Sequence, residues 1–252
     1  MAGTVVWHDL NTRDTAKAAA FYGELFGWQV RSREMGATKH DFFYLGEEGF
    51  GCLVKQDGKD RMPPHWVGYV QVDDLDAAVK RAVRGGGSAP VPRMAITEKD
   101  AFAILKDPLG AVFAAYYTAN PLPPGYPKQG PGLFCWEELL TTDPKRMLVF
   151  YGEVFGWTSD AVQMPMGTYH ILKSGDAHVG GIMQMPPGVP APPHWLSYVA
   201  VTDVDKTAAK AVKLGAMQHV APTDIPNVGR FSVHADPQGA VFALYKPTPR
   251  KG

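Results

Sequence analysis

A gapless internal repeat constrains this chain more than any other feature. Displaced by 129 positions, the 252-residue sequence meets itself in three segments. WHDLNTRDTAKAAAFYGELFGW (7–28) lies over WEELLTTDPKRMLVFYGEVFGW (136–157), with 11 of 22 residues identical. PPHWVGYVQVDDLD (63–76) lies over PPHWLSYVAVTDVD (192–205), with 9 of 14, and DPLGAVFAAY (107–116) over DPQGAVFALY (236–245), with 8 of 10. Three matches at one offset mean duplication, so two copies of one folding plan are expected. Between them, TANPLPPGYPKQGPG (118–132) holds five prolines and three glycines, the composition of an extended, partly stiff linker. The predicted domains are therefore 1–117 and 133–247. Fifteen extended residues reach roughly 45 Å, so modules can pair within a copy or across copies.

Each copy has a finer rhythm. A strand near 4–10 leads to Asp14 as a helix N-cap, then to an amphipathic helix with Ala18, Phe21, Tyr22 and Leu25 on one face and Gly27 as its C-cap. Asp143-Pro144 starts the matching helix in the second copy. Strands near 28–33, 41–46 and 50–55 follow, and the pattern restarts with strand 65–72, helix 75–84 and Gly85 as terminator. Asp107-Pro108-Leu109-Gly110 suits a type I turn before the last strand. The plan is βαβββ four times over, in an α+β layer architecture.

Composition narrows the function. With 25 basic and 25 acidic side chains the net charge is zero, so no basic face for nucleic acid or anionic membrane is expected. No apolar run approaches the roughly 18 residues that span a bilayer, and the opening residues give no expectation of a secretory signal. Two cysteines, Cys52 and Cys135, make no disulfide framework. A cytoplasmic protein with a small-molecule ligand is expected, and the tandem repeat can suffice as a monomer.

The pattern W-x-[DE]-L, FYGxxFGW, PPHW and DPxGAVFA resembles the vicinal oxygen chelate superfamily, which includes glyoxalase I, bleomycin-resistance proteins and extradiol dioxygenases. The resemblance covers nearly the whole chain and is closest to two-repeat glyoxalase-like proteins. It implies two domains with curved mixed sheets, each sheet forming a cup with helices on its convex side. It further implies metal ligands on the first and last strand of each module. Those positions fall here at Trp7, about Cys52, Val67 and Ala114, then at Trp136, about Gly181, Leu196 and Ala243. None is His, Glu, Asp or Gln, so no cofactor is expected, with a divalent metal as the alternative.

The candidates for chemistry are then the residues beside those positions. Strand alternation sends Asp9 to the face of Trp7 and Glu138 to that of Trp136, while Val6 and Leu10 turn to the helix. A partly desolvated carboxylate suits a general acid or base. His65 and His194 of PPHW lean inward and suit proton transfer, or else form a structural corner bonded to a carbonyl. Tyr116, Tyr245, Tyr69 and Tyr198 join Trp7, Trp136 and Cys52 as a slot for a flat organic ligand, or else fill a core. His178, His219 and His234 read as exposed. Two functions follow. One is a glyoxalase-like lyase, isomerase or hydroxylase acting on a carbonyl-containing or aromatic metabolite. The alternative is sequestration of a planar toxin or antibiotic without catalysis.

Overall fold

A computed structural model describes residues 3–248 except 36–37, 58–61, 121, 124, 165 and 190. The first repeat runs β1 (Val5–Thr12), α1 (Thr15–Phe26), β2 (Gln29–Met35), β3 (Thr38–Leu45), β4 (Glu48–Lys55), β5 (His65–Gln71), α2 (Leu75–Arg84), β6 (Ser88–Ala95), β7 (Asp100–Lys106) and β8 (Val112–Thr118). The second repeats it as β9 (Phe134–Thr141), α3 (Pro144–Phe155), β10 (Thr158–Met164), β11 (Gly167–Ser174), β12 (Ala177–Gln184), β13 (His194–Ala200), α4 (Val204–Lys213), β14 (Met217–Ile225), β15 (Gly229–Ala235) and β16 (Val241–Pro247). The four βαβββ modules are thus present, with two curved mixed sheets in an α+β fold.

Local chemistry explains the helices. The Asp14 side chain accepts the Lys17 N–H at 3.1 Å, and Gly27, at φ 78°, closes α1 in the left-handed region open to glycine. Asp143 caps α3 through Arg146 N–H, and Pro144 occupies the first turn, where a missing N–H costs nothing. Asp74 and Asp203 cap α2 and α4 in the same way.

The sheets follow the repeats. The first has strand order β2-β3-β4-β1-β5-β8-β7-β6 and the second β10-β11-β12-β9-β13-β16-β15-β14. Within each module the hairpins are antiparallel, while the first and last strands pair in parallel, as His8 with Gly51 and Tyr69 with Ala114.

The contacts, by contrast, divide the chain into two compact units that each draw on both repeats. One takes residues 1–7, 67–127 and 136–196; its core packs Leu75, Ala78 and Ala82 of α2 with Met147, Phe150, Tyr151 and Val154 of α3. The other takes 8–66, 128–135 and 197–252, with Ala18, Phe21, Tyr22 and Leu25 of α1 beside Val204, Ala208 and Ala211 of α4. The α1 face is the one that periodicity selects.

His178 and His219 are exposed as expected, but His234 is buried and is a correction. On β15 it stacks on Phe242 at 5.8 Å and shares a hydrogen bond with Ser232 at 2.9 Å. Its ring lies on the helix side of the sheet, the face that β15 alternation alone cannot choose.

Candidate functional site

The three duplicated motifs meet on the helix side of each unit. In one, Tyr22 of FYG donates its phenolic hydrogen to Asp236 of DPQG at 3.1 Å, and Trp66 of PPHW donates its indole N–H to the Tyr22 oxygen at 3.1 Å. In the other, Tyr151 donates to Asp107 at 3.0 Å and Trp195 to Tyr151 at 2.9 Å. The second carboxylate oxygen of each aspartate takes the turn N–H groups, those of Gln238 and Ala240 or of Leu109 and Ala111. Burial, and then the neighbouring aspartate, push both tyrosines well above the usual phenol range. Burial also raises both carboxyls. These motifs hold the fold; their retention in both repeats reflects packing.

The chemistry must then lie on the sheet face turned from the helices. In the unit containing α2 and α3, Val67, Tyr69 and Ala114 form a small cluster joined by Trp7, Phe102, Ile104 and Tyr116. The structure brings Trp7, Val67 and Ala114 together in a wall of aromatic and aliphatic surface. Tyr69 and Phe102 meet edge to face at 5.6 Å, and Tyr116 donates to Asp100 at 3.1 Å.

The same unit carries the first half of the second repeat. Trp136 donates its indole N–H to the Tyr169 hydroxyl at 2.7 Å. Tyr169 lies over Gly181 so closely that its hydroxyl occupies the place where a Cβ at 181 would stand. Glu138 pairs with Gly181 in the β9–β12 register, shares its face, and is 9% exposed.

In the unit containing α1 and α4, Asp9 pairs with Cys52 in the β1–β4 register and Phe42 with Cys52 across β3. Leu10 and Leu53, one residue on, sit in the core, so Asp9 and Cys52 face away from the helices as alternation predicts. The Arg31 guanidinium stacks over the Tyr44 ring at 4.5 Å and pairs with Glu47 at 2.9 Å. Tyr198 and Tyr245 meet edge to face at 6.4 Å, with Phe231 beside Tyr198. Tyr245 donates to the Val228 carbonyl at 3.0 Å. His65 and His194 each place Nδ1 2.8 Å from a proline carbonyl, Pro63 and Pro192. A carbonyl only accepts, so Nδ1 is the protonated nitrogen and each ring pins its PPHW corner.

Tyr169 is not among the candidates that the sequence singles out. The available signal was a paired exchange between repeats: His40 and Cys52 in the first become Tyr169 and Gly181 in the second, a larger ring where its neighbour loses its side chain.

A family model described as Glyoxalase/Bleomycin resistance protein/Dioxygenase superfamily matches residues 4–114 and 136–244. The chain belongs to this superfamily. It is 38% identical to the Mycobacterium tuberculosis protein named "Putative glyoxylase CFP32", covering 99% of this chain and 97% of the relative. It is 30% identical to the anthracycline biosynthesis protein DnrV of Streptomyces peucetius, covering 96% and 92%. Among solved structures, the Mn(II)-bound glyoxalase from Novosphingobium aromaticivorans aligns with a TM-score of 0.65 at 16% identity, over 97% of this chain and 82% of that one. 2,2',3-Trihydroxybiphenyl 1,2-dioxygenase from Sphingomonas wittichii gives 0.65 at 14%, over 97% and 90%, a likeness of fold.

Superfamily relatives such as that glyoxalase hold a metal, so the donor set matters. Val67, Ala114, Leu196, Ala243 and Gly181 carry no side-chain donor atom, and an indole N–H at Trp7 or Trp136 cannot ligate. Burial, then the charges of Asp9 and Asp41, push the Cys52 thiol far above its ordinary range, away from the thiolate that binds metal. Among the described residues no three His, Cys, Asp or Glu side chains group closely enough to hold an ion. At the positions where the resemblance places metal ligands, the side chains present do not offer a donor set that fits a divalent cation.

Proposed function

We infer that this superfamily member is a small-molecule enzyme of lyase or isomerase type, acting on a carbonyl-bearing aromatic metabolite without a metal held at the ligand positions. The observation that carries the reading is the convergence of Trp7, Val67 and Ala114 with Tyr69, Phe102 and Tyr116. Where relatives grip an ion, this chain offers a ring-lined surface suited to a flat guest. Anthracyclines are planar, carbonyl-rich ring systems, so the likeness to DnrV supports the same ligand class.

Asp9 and Glu138 are the candidate bases. Each lies two residues beyond a ligand-position tryptophan on the same strand face, Trp7 and Trp136. A carboxylate that takes a proton from the carbon beside a carbonyl sends the electron pair to the carbonyl oxygen. Return of that proton at another carbon completes an isomerisation without oxidant or reductant. His65 and His194 act as corner residues in this scheme, and Cys52 serves as a neutral wall.

The test uses 1-tetralone, a flat bicyclic ketone with exchangeable hydrogens beside its carbonyl. Binding is measured by calorimetry, and hydrogen–deuterium exchange at that carbon by NMR in D2O. Saturable binding with accelerated exchange is expected. Binding without exchange would favour sequestration, the second reading, which the donor-free ligand positions suit equally well. No binding by tetralone or by an anthraquinone would overturn both.

A further inference from the structure

We propose that Asp100 and Gln71 make the ring-lined wall of the first repeat selective for a flat ligand that carries an ammonium group. The inference deepens the functional reading above, on whose wall it rests, and names a charge that reading leaves open. Three observations carry it.

The first is placement. On β7, Ala101, Ala103 and Leu105 enter the helix-side core, so Asp100 shares the opposite face with Phe102 and Ile104 of the wall. Val70 and Val72 enter the same core, which leaves Gln71 between them on the wall face with Tyr69. Register sets Gln71 beside Tyr116 of β8, and Tyr116 beside Phe102 of β7. Asp100 stands one row further, opposite Thr118, so both polar groups edge the same end of the wall.

The second is chemistry, for both groups accept. The Gln71 amide oxygen is buried and takes no hydrogen bond from the protein. Asp100 accepts the Tyr116 hydroxyl at 3.1 Å and that of Thr97 at 2.6 Å. Burial raises its carboxyl, but hydrogen bonds from Thr118, Thr97 and Tyr116, and then Lys99, outweigh burial and hold it below the usual carboxylate value. Among the described residues no salt bridge engages it. A carboxylate offers about four lone-pair positions, so capacity for a further donor remains. An ammonium group brings three donors and a positive charge, which the faces of the neighbouring rings also attract.

The third is a contrast between the repeats. Tyr198, Phe231 and Tyr245 repeat the rings of Tyr69, Phe102 and Tyr116, but Ala200 replaces Gln71, Gly229 replaces Asp100 and Pro247 replaces Thr118. Without a side chain at 229, ring carbons of Tyr245 come within 2.6 and 2.9 Å of where a Cβ would stand, and the hydroxyl turns to the Val228 carbonyl at 3.0 Å. Packing thus preserves the rings in both repeats, whereas the acceptors belong to the first. There the Asp100 carboxylate holds the Tyr116 hydroxyl at the edge of the wall.

Calorimetry with three bicyclic probes, 2-naphthylmethylammonium, 2-naphthylmethanol and 1-tetralone, tests the proposal. Wild type should bind the ammonium about tenfold more tightly than the alcohol. That advantage should shrink as sodium chloride rises from roughly 0.05 to 0.5 M. Asp100→Asn keeps a carbonyl oxygen for Tyr116 but removes the charge, so ammonium and alcohol should bind equally, with 1-tetralone affinity changed less than about threefold. Gln71→Leu should weaken ammonium and alcohol alike, by about fivefold, since a neutral acceptor serves either donor. Equal binding of ammonium and alcohol by wild type would overturn the proposal whatever the variants do, and the functional reading survives if 1-tetralone still binds. An ammonium preference undiminished in Asp100→Asn would overturn it equally. If none of the three probes binds, the proposal falls together with the reading beneath it.

Discussion

Tyr22 and Asp236, 214 positions apart, share a buried hydrogen bond of 3.1 Å that ties the first βαβββ module to the last. Tyr151 and Asp107 repeat the bond between the two middle modules. In both, a tryptophan from PPHW donates to the tyrosine, so one phenol satisfies two buried polar groups at once.

Tyr22→Phe should therefore destabilise the protein by about 2–3 kcal/mol, because it leaves the Trp66 N–H and one Asp236 oxygen buried without that partner. Urea denaturation measures the loss. A double-mutant cycle with Asp236→Asn should show coupling of about 1 kcal/mol or more. Additive effects, each under about 0.5 kcal/mol, would mean that the bond contributes nothing.

Stability should fall on acidification through His234. Burial, then His219, hold its imidazole down at about 4, against an ordinary value of 6.5. Between those values the unfolded chain binds a proton that the native state does not, so stability is full above pH 6.5 and declines as pH falls towards 4. The full shift amounts to about 3 kcal/mol. Asp107 and Asp236, raised by burial, act with the opposite sign, since the native state keeps their protons to higher pH. His234→Gln leaves an amide for Ser232 and isolates the histidine. Urea midpoints measured from pH 7 to 4.5 should be flatter in this variant; parallel curves would contradict the assignment.

Trp7→Ala should weaken binding of an anthraquinone probe about tenfold, as expected when an aromatic wall with Tyr69 and Tyr116 loses its indole. Calorimetry reads the affinity and thermal melting checks the fold. Unchanged affinity with an intact fold would place the ligand elsewhere.

Asp9→Asn combined with Glu138→Gln should abolish deuterium exchange into 1-tetralone with little change in affinity. Exchange that continues at the wild-type rate would assign both carboxylates to structure.

Purified protein is expected to hold less than about one-tenth of an equivalent of transition metal, and exchange should survive dialysis against a chelator. About one ion per repeat, measured by plasma mass spectrometry, would mean that donors other than the ligand-position residues hold it.

The duplication, the four βαβββ modules and the helix caps were legible in the sequence because each is a local property. Asp14 and Gly27 bound α1 through contacts three and four residues away, and alternation alone separates Asp9 from Leu10. That Trp7, Val67 and Ala114 stand at ligand positions came instead from the family resemblance, which no local property of the chain supplies. Tertiary structure decided the rest. The choice of partner for Tyr22 depends on which modules share a core, and a long linker leaves that open. Alternation says that Ser232 and His234 share a face but not that the face is buried, so His234 could be placed only once α4 was seen against the sheet. Tyr169 came to lie over Gly181 from the neighbouring strand, a juxtaposition set by hairpin register rather than by any spacing along the chain.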